Sequence, residues 1–314
     1  MISKMLSKYC YIDEAFSFSL EKTITKLTIL IPGGGCEYWK KTGGCSMCGF
    51  NNEVKKYNRG HKLPSLIYWV LFLLAIKKYS RIDKVSIYNG GSFINNREIP
   101  KNFRSNVYNY LSKEYNGIEL LIESRCEYIN DDFIKEIKKY QKKIKFTVAI
   151  GLESQDDYIR NKIIKKGLDK RVFEKKVNLL AKNNVKTYVY VLLKPPGISE
   201  KEAYNETIET IKYLINLNIN EIELSCTFVQ EGTFLADLYY NKEYKPPSLW
   251  TIYKILRKAK EKGWQLNLGK FTDTPPPISI PSSCPKCRLK LIKIFNVYRK
   301  KNILNKIDRC ECIK

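Results

Sequence analysis

The sequence predicts an α/β fold, a partial (β/α)6 barrel followed by a small C-terminal cysteine-bearing module. From Leu27 onward, short apolar runs alternate with longer segments of helical period, as in repeated β-α units around a parallel sheet. Clusters of glycine, cysteine and polar residues follow these runs, and parallel sheets bind their ligands at the carboxyl ends of the strands. A doubly wound sheet would show the same alternation, so the preference for a barrel depends mainly on a cysteine-rich loop after the first run.

Six strands are predicted, each an apolar run separated from the next by a segment of helical length. In chain order they are residues 27–32, 84–88, 118–124, 144–150, 185–193 and 222–228. The most apolar segment, residues 66–76, is much shorter than the roughly 20 residues that cross a bilayer, so it predicts a buried helix. We expect no membrane association, because no amphipathic segment with a basic face stands out.

The chain divides into three predicted parts. Residues 1–24 are expected to form an N-terminal cover or leading helix, and residues 25–274 the partial barrel. Consecutive prolines from Pro275 to Pro277 predict a stiff break before the basic C-terminal module, residues 275–314.

The composition is that of a basic globular protein. Its 314 residues are 44% apolar, and 56 Lys and Arg against 32 Asp and Glu give a net charge of +24. Such a charge attracts polyanions, of which nucleic acid is the obvious candidate. The alternative is a general overuse of Lys, Ile, Asn and Tyr, as in lysine-rich thermophile proteomes, so charge alone identifies no partner. The ten cysteines and an N-terminus without signal-peptide features predict a cytoplasmic protein with reduced thiols.

Three cysteines after the first strand, Cys36, Cys45 and Cys48, have a spacing suited to an iron–sulfur cluster. Eight and then two residues separate them, and the surrounding glycines let backbone wrap closely around a cluster. Three thiolates can hold a 4Fe-4S cluster and leave one iron open, whereas a structural zinc site is normally closed by four ligands. The alternatives are a zinc site completed by His61, the one histidine of the sequence, and a redox-active thiol pair.

This loop, GGGC-x8-C-x2-CGF, resembles that of radical S-adenosylmethionine (SAM) enzymes, specifically the Elongator-catalytic-subunit-like branch with wide cysteine spacing. The resemblance covers residues 25–240. It implies a partial (β/α)6 barrel of radical SAM type, with a 4Fe-4S cluster whose open iron binds S-adenosyl-L-methionine. Reductive cleavage of SAM would give methionine and a 5′-deoxyadenosyl radical that abstracts hydrogen from the substrate.

Two further motifs extend the resemblance to residues that bind SAM. Gly90, Gly91 and Ser92 match the glycine pair after the second strand, whose backbone carbonyls meet the SAM amino group. Glu153 and Ser154, in the element GLES after the fourth strand, match polar contacts to the SAM ribose and amino-acid moiety. The alternatives are an ordinary turn for the glycines and a helix N-cap for Ser154.

Weaker matches indicate how the strands and loops align with those of the family, not which residues take part in the reaction. No catalytic residue is predicted. Lys166-Gly167, residues 196–200 and Gly232-Thr233 resemble turn elements of the same family. Glu123, at the end of the third strand, either faces the site or forms a solvent-exposed or ion-paired strand end.

The C-terminal module carries a second group of thiols, Cys284, Cys287, Cys310 and Cys312. Four soft ligands in two close pairs predict a structural zinc site in a segment too short to form a core. The alternatives are a second iron–sulfur cluster and free thiols. The lysines and arginines between the pairs predict contact with a phosphate backbone. The remaining cysteines, Cys10, Cys126 and Cys226, have no partner at ligand spacing, and we expect Cys126 and Cys226 to be small buried hydrophobic residues.

Taken together, these motifs most resemble the archaeal radical SAM subunits of archaeosine synthase. The resemblance implies a tRNA substrate, an electron donor and a transglycosylase-like partner subunit, which attaches lysine to 7-cyano-7-deazaguanine in the tRNA. The radical SAM subunit would then act as a C–N lyase on the lysyl group and leave archaeosine. The alternatives are another radical SAM modification of tRNA, of methylthio or carboxymethyl type, and a non-enzymatic, metal-stapled nucleic-acid-binding protein.

Overall fold

The computed structural model describes residues 9–58, 60–273 and 275–312, apart from the side chains of residues 53 and 56–58. In this part of the chain a single sheet contains eight strands in the order β1 to β8. The strands are β1 (Cys10–Ser17), β2 (Lys22–Leu30), β3 (Lys84–Tyr88), β4 (Ile118–Glu123), β5 (Ile144–Glu153), β6 (Lys186–Leu193), β7 (Glu221–Cys226) and β8 (Leu266–Leu268).

One to three helices separate each pair of consecutive strands from β2 onward, and a last helix follows β8. In the described residues the helices are α1 (Glu37–Thr42), α2 (Phe50–Asn58), α3 (Ser65–Ile76), α4 (Lys101–Glu114), α5 (Asp131–Lys138), α6 (Lys170–Lys182), α7 (Glu200–Asn216), α8 (Phe234–Tyr240), α9 (Leu249–Glu261) and α10 (Pro285–Lys301). Strands β2 to β8 are all parallel to one another. This topology confirms the predicted partial barrel, and β2 to β7 are the six predicted strands.

Two strands, β1 and β8, were not predicted. Strand β1 pairs antiparallel with β2 along its whole length, from Cys10 opposite Ile29 to Ser17 opposite Lys22. The expectation of a leading helix is therefore wrong for residues 10–17, while residues 1–8 lie outside the described part of the chain. Strand β1 saturates the edge hydrogen bonds of β2, which an open parallel sheet would otherwise expose.

The two faces of the sheet differ in chemistry. Toward the helices, the strands contribute Val85, Leu120, Val148 and Val189 to one large apolar core. The inner face carries charged side chains, of which four form what we call the ion-pair layer: Lys84, Glu119, Lys186 and Glu221. Lys84 lies 2.6 Å from Glu119 and 3.7 Å from Glu221, and Lys186 lies 3.9 Å from Glu119. These charges compensate one another at the bottom of the barrel.

Helix α3 contains the apolar segment 66–76 that the sequence assigns to a buried helix. The helix is present, but only one face is buried, through residues such as Tyr68 and Phe72. The opposite face leaves Leu66 69% exposed and Val70 45% exposed. The expectation of full burial is wrong because a helix packed on the outside of a sheet covers only one of its own faces.

Helix α10 does not form a core of its own. It packs against β1, β2 and β8, and Leu291, Phe295 and Tyr298 are buried in the apolar core of the sheet. The Tyr298 hydroxyl donates to the Leu266 carbonyl at 2.6 Å. This part of the predicted C-terminal module is therefore continuous with the barrel. No helix among the described residues is both long and apolar enough to span a membrane.

Candidate active site

The predicted cysteine loop lies at the carboxyl ends of the parallel strands. It begins after β2, and its three thiols, of Cys36, Cys45 and Cys48, line a cavity of about 510 Å³. A side chain at Gly44 would come within 2.2 Å of the Trp39 ring, and the residue has φ +82. Glycine is therefore required for the loop to close over Trp39.

The three thiols are held in a low-dielectric setting. Burial raises the pKa of Cys36 and of Cys45, and it raises the pKa of Cys48 to about 12, with Cys45 and Cys36 adding to the effect on Cys48. Metal ions ionise coordinating thiols by their own positive charge. The loop is thus suited to a cationic cluster, which would supply the charge that ionises its thiols.

The loop lacks the convergence of a closed metal site. Among the described His, Cys, Asp and Glu side chains, the group whose ligand atoms all meet within 4.8 Å consists of the four C-terminal cysteines, not the loop thiols. His61 is exposed and does not line the cavity, so the structure gives no support to a zinc site that it completes. Three separated thiols around a cavity fit a multi-iron cluster better than one tetrahedral ion.

The predicted Gly90-Gly91-Ser92 turn follows β3 and packs directly against the cysteine loop. A Cβ on Gly91 would lie 3.3 Å from the Cys36 Cα and would overlap the Glu98 carboxylate. Gly90 has φ +65, and both glycines line the cavity. Ser92 does not line it, because its hydroxyl lies behind the turn and accepts from the Arg125 N–H at 3.1 Å. The turn therefore offers backbone rather than a side chain to a bound molecule.

Glu98, which no sequence motif indicates, joins this turn to the cysteine loop. Its buried carboxylate accepts from the Ser92 N–H, from the Glu37 N–H at 3.1 Å and from the Asn95 amide at 3.0 Å. Burial raises the pKa of Glu98, while these hydrogen bonds oppose the shift. One carboxylate thus fixes the start of α1 relative to Gly91.

The two polar side chains of the GLES element lie in different places, Glu153 in the cavity and Ser154 in the protein interior. Glu153 occupies a bulge in β5 with φ +70 and lines the cavity, where it forms an ion pair with Lys166 at 2.8 Å. Although burial opposes the shift, Glu153 raises the pKa of Lys166. Ser154 instead points to α7 and donates to Glu206 at 2.5 Å. The structure brings Glu153, but not Ser154, to the cavity.

The weaker motifs help to fix the loop. A Cβ on Gly167 would lie 2.5 Å from the Tyr38 hydroxyl, so the Lys166-Gly167 turn packs on α1. On the far side, the Gly49 N–H donates to the Gln230 side chain at 3.1 Å, and the Asn52 amide donates to the Gly232 carbonyl at 3.1 Å. The loop is thus held from both sides of the sheet. Residues 196–200 do not line the cavity.

Glu123 lines the cavity, as one of its two interpretations predicted. Burial raises its pKa to about 8, and a hydrogen bond from Tyr190 opposes the shift. Nearby, Arg125 lies 3.9 Å from the Tyr38 ring centre and 2.6 Å from Glu127. The cavity below the cysteine loop therefore has both aromatic and ionisable walls.

The C-terminal cysteines converge on one point outside the cavity. The Cys284 Sγ lies 3.3 Å from that of Cys287 and 3.6 Å from that of Cys310, and Cys287 lies 3.6 Å from Cys312. The Trp250 indole N–H donates to the Cys287 sulfur at 3.1 Å. Cys126 and Cys226 are buried, as predicted, and Cys10 is buried as well.

Comparisons with known proteins add relatives of similar length, although no family model matches the sequence. Over 296 residues the chain is 29% identical to archaeosine synthase subunit beta of Methanosarcina acetivorans, which covers 91% of this chain and 82% of that protein. The protein of the same name from Thermococcus kodakarensis is 30% identical over 245 residues, 76% of this chain and 73% of that one. An uncharacterised protein of Methanocaldococcus jannaschii is 30% identical over 308 residues, covering 94% and 81%.

Solved structures of similar architecture include an archaeal Elp3 and a radical SAM methyltransferase. Elp3 of Methanocaldococcus infernus, with its N-terminus deleted, superposes with a TM-score of 0.54 at 18% identity, covering 77% of this chain and 65% of that one. A radical SAM methyltransferase from Sphaerobacter thermophilus gives 0.54 at 11% identity, with coverage of 79% and 70%. At such identities the likeness concerns the fold, which is the partial barrel of radical SAM type.

Proposed function

The chain belongs to the archaeosine synthase subunit beta family, and on that premise we propose that it is a radical SAM enzyme that cleaves a C–N bond in lysine-modified tRNA. The substrate would be tRNA whose 7-cyano-7-deazaguanine carries lysine, and the product archaeosine. The observation that carries the proposal is the open cysteine loop: three thiols, with Gly91 packed beside Cys36, line a cavity large enough for a small molecule.

The residues of this site fit the cofactors that the fold implies. Cys36, Cys45 and Cys48 would hold the 4Fe-4S cluster, and the backbone of Gly90 and Gly91 would face the SAM amino group. When bound, the cluster and SAM supply hydrogen-abstracting radical chemistry. Glu98 keeps the loop and the glycine turn in register, and the walls of the cavity exclude water from the reacting groups.

Glu153 would contact the SAM ribose as half of an ion pair. Its carboxylate is fixed by Lys166 at 2.8 Å and by the bulge of β5, so it needs little reorganisation to accept from a hydroxyl group. For Ser92 and Ser154, the buried hydrogen bonds support a positioning role rather than direct contact with SAM.

The partners follow from the relatives and from the charge. The name "subunit beta" implies a second subunit in those relatives, and we propose that a transglycosylase-like, lysine-transferring subunit and an electron donor act with this chain. A net charge of +24 supports an anionic substrate such as tRNA.

We also propose that Cys284, Cys287, Cys310 and Cys312 bind a structural zinc ion. Their sulfurs all lie within 4.8 Å of one another, and the N–H of Trp250 supports a thiolate at Cys287. The ion would tie the end of the chain to the start of α10.

The direct test of the function is a nucleoside assay. Holoprotein reconstituted without oxygen is incubated with SAM, a reductant and lysine-bearing tRNA, with Cys45→Ala and tRNA bearing the unmodified nitrile base as controls. We expect archaeosine in the complete reaction alone, measured by mass spectrometry. A different nucleoside would favour the methylthio or carboxymethyl alternative. Failure to take up iron would leave a nucleic-acid-binding protein.

A further inference from the structure

The cavity continues below the cysteine loop to a polar floor formed by two strands from opposite ends of the sheet. Lys26 of β2 and Glu223 of β7 both line it, together with Tyr188. The Tyr188 hydroxyl donates to the Glu223 carboxylate at 2.5 Å, and the Ser225 hydroxyl lies 3.3 Å from its other oxygen. These contacts orient the carboxylate.

Lys26 and Glu223 differ from the neighbouring ion-pair layer. Lys84 and Glu119 in that layer lie 2.6 Å apart, whereas neither Lys26 nor Glu223 has an ion pair within 4 Å among the described residues. Burial lowers the pKa of Lys26, and Glu223 and Asp13 oppose the shift, so the two charges act on each other without direct contact. Charges held in a protein interior without a close partner are destabilising, and such arrangements are typical of binding sites.

The surroundings leave room for a ligand between the two charges. A Cβ on Gly269 would lie 2.9 Å from the Glu223 carboxylate, so glycine here keeps that side of the floor open. Tyr88 and Tyr190 line the cavity between the floor and the cysteine loop. They form walls along which an aliphatic chain can pack.

We propose that Lys26 binds the α-carboxylate, and Glu223 the α-ammonium, of an amino-acid group at the far end of the substrate. This inference rests on the proposed function. A lysyl group joined to the base through its side-chain nitrogen keeps a zwitterionic end remote from the base. A base at the mouth of the cavity would place the C–N bond near the cysteine loop and this zwitterion at the floor. One cation and one anion match its two charges.

The test compares two tRNA probes on the reconstituted holoprotein: tRNA bearing lysine on the base, and the same tRNA bearing 1,5-diaminopentane, which lacks the carboxylate. Affinity is measured without reductant, and kcat/KM with it. We expect wild type to prefer the lysine probe by about tenfold or more, which is the size of one charged hydrogen bond. Equal affinity for the two probes would overturn the proposal without any variant.

The variants assign the roles. Lys26→Met should abolish the preference between probes, Lys26→Arg should keep it, and Glu223→Gln should weaken both probes about tenfold. Lys22→Met, an exposed substitution on the same strand, should match wild type. A Lys26→Met protein that still prefers lysine would contradict the proposal. Discrimination in binding without formation of archaeosine would uphold the subsite and overturn the proposed reaction.

Discussion

The molecule contains two groups of cysteines that differ in number, convergence and surroundings. Cys36, Cys45 and Cys48 line the cavity, whereas the four C-terminal sulfurs all lie within 4.8 Å of one another and do not line it. The first arrangement leaves space for a cluster and a further molecule, and the second would enclose a single ion. On the proposed assignment, ligand geometry distinguishes a reactive metal site from a structural one within the same chain.

The two groups of cysteines are also held in place by different contacts. The loop is held by side chains from several strand ends, including Glu98 beside β3 and Gln230 beyond β7. The C-terminal group lies at the start of one helix, with Trp250 as its buried hydrogen-bond donor. Removing a ligand from one group should therefore leave the other intact.

The largest expected effect is that of Cys45→Ala. The proposed cluster is held by only three thiols, so loss of the Cys45 thiol should abolish iron binding. Formation of 5′-deoxyadenosine should then fall to background. Metal analysis should show that bound zinc is unchanged. A variant that keeps both iron and SAM cleavage would contradict the assignment of the loop.

The converse substitution is Cys312→Ser, at the exposed end of the C-terminal group. Loss of one ligand from a closed site should remove zinc and lower the thermal midpoint of unfolding, since metal binding contributes to folding free energy. Iron content should stay at the wild-type level. Loss of iron in this variant, or zinc content equal to wild type, would show that the two groups are not independent in the proposed way.

Glu98→Gln tests whether the loop depends on its buried anchor. The substitution keeps the size of the side chain but replaces one acceptor oxygen by a donor, next to N–H groups that themselves donate. Loss of a charge-assisted hydrogen bond predicts a decrease of about 10- to 100-fold in kcat/KM for SAM, with iron content retained. Glu114→Gln, on the exposed end of α4, is the matched control. Unchanged SAM kinetics would remove Glu98 from the site.

The smallest expected effect concerns Glu123, a carboxyl group in the wall of the cavity whose pKa depends on its burial. Burial raises its pKa to about 8, above the value of an unfolded carboxyl, and Tyr190, Asp273, Lys166 and Glu223 modulate the shift. The folded protein thus keeps the Glu123 proton at pH values where the unfolded chain has lost it. The free energy of unfolding therefore falls as the pH rises toward about 8.

Glu123→Gln should remove this pH dependence. Between pH 6 and 8, wild-type apoprotein should lose up to about 1.4 kcal/mol per pH unit relative to the variant in urea unfolding. Parallel pH profiles for the two proteins would contradict a raised pKa.

The sequence predicted those parts of the site that have a local signature. The cysteine loop, Gly90-Gly91 and Glu153 follow strands with clear apolar runs, and strand ends locate side chains at one edge of a parallel sheet. The spacing of the C-terminal pairs likewise predicted a converging group.

Other features depend on contacts between distant segments. Glu98 lies in an ordinary polar loop, and its role arises from four N–H donors that the fold brings together. Strand β1 carries polar residues along its length, so its sequence does not stand out as an apolar run. Strand β8 has three residues and is too short to show a periodic pattern. Ser154 lies outside the cavity, where its hydroxyl accepts from the Asp156 N–H at 3.0 Å, and the Asp156 carboxylate accepts in turn from the Ile159 N–H at 2.8 Å.

The proposed function depends on the cysteine loop leaving one iron open to SAM. Electron paramagnetic resonance of the reduced holoprotein, recorded before and after addition of SAM, tests this directly. We expect SAM to change the cluster signal in wild type and equally in Cys312→Ser, because the proposed zinc site takes no part. A reduced cluster whose signal is the same with and without SAM would contradict it.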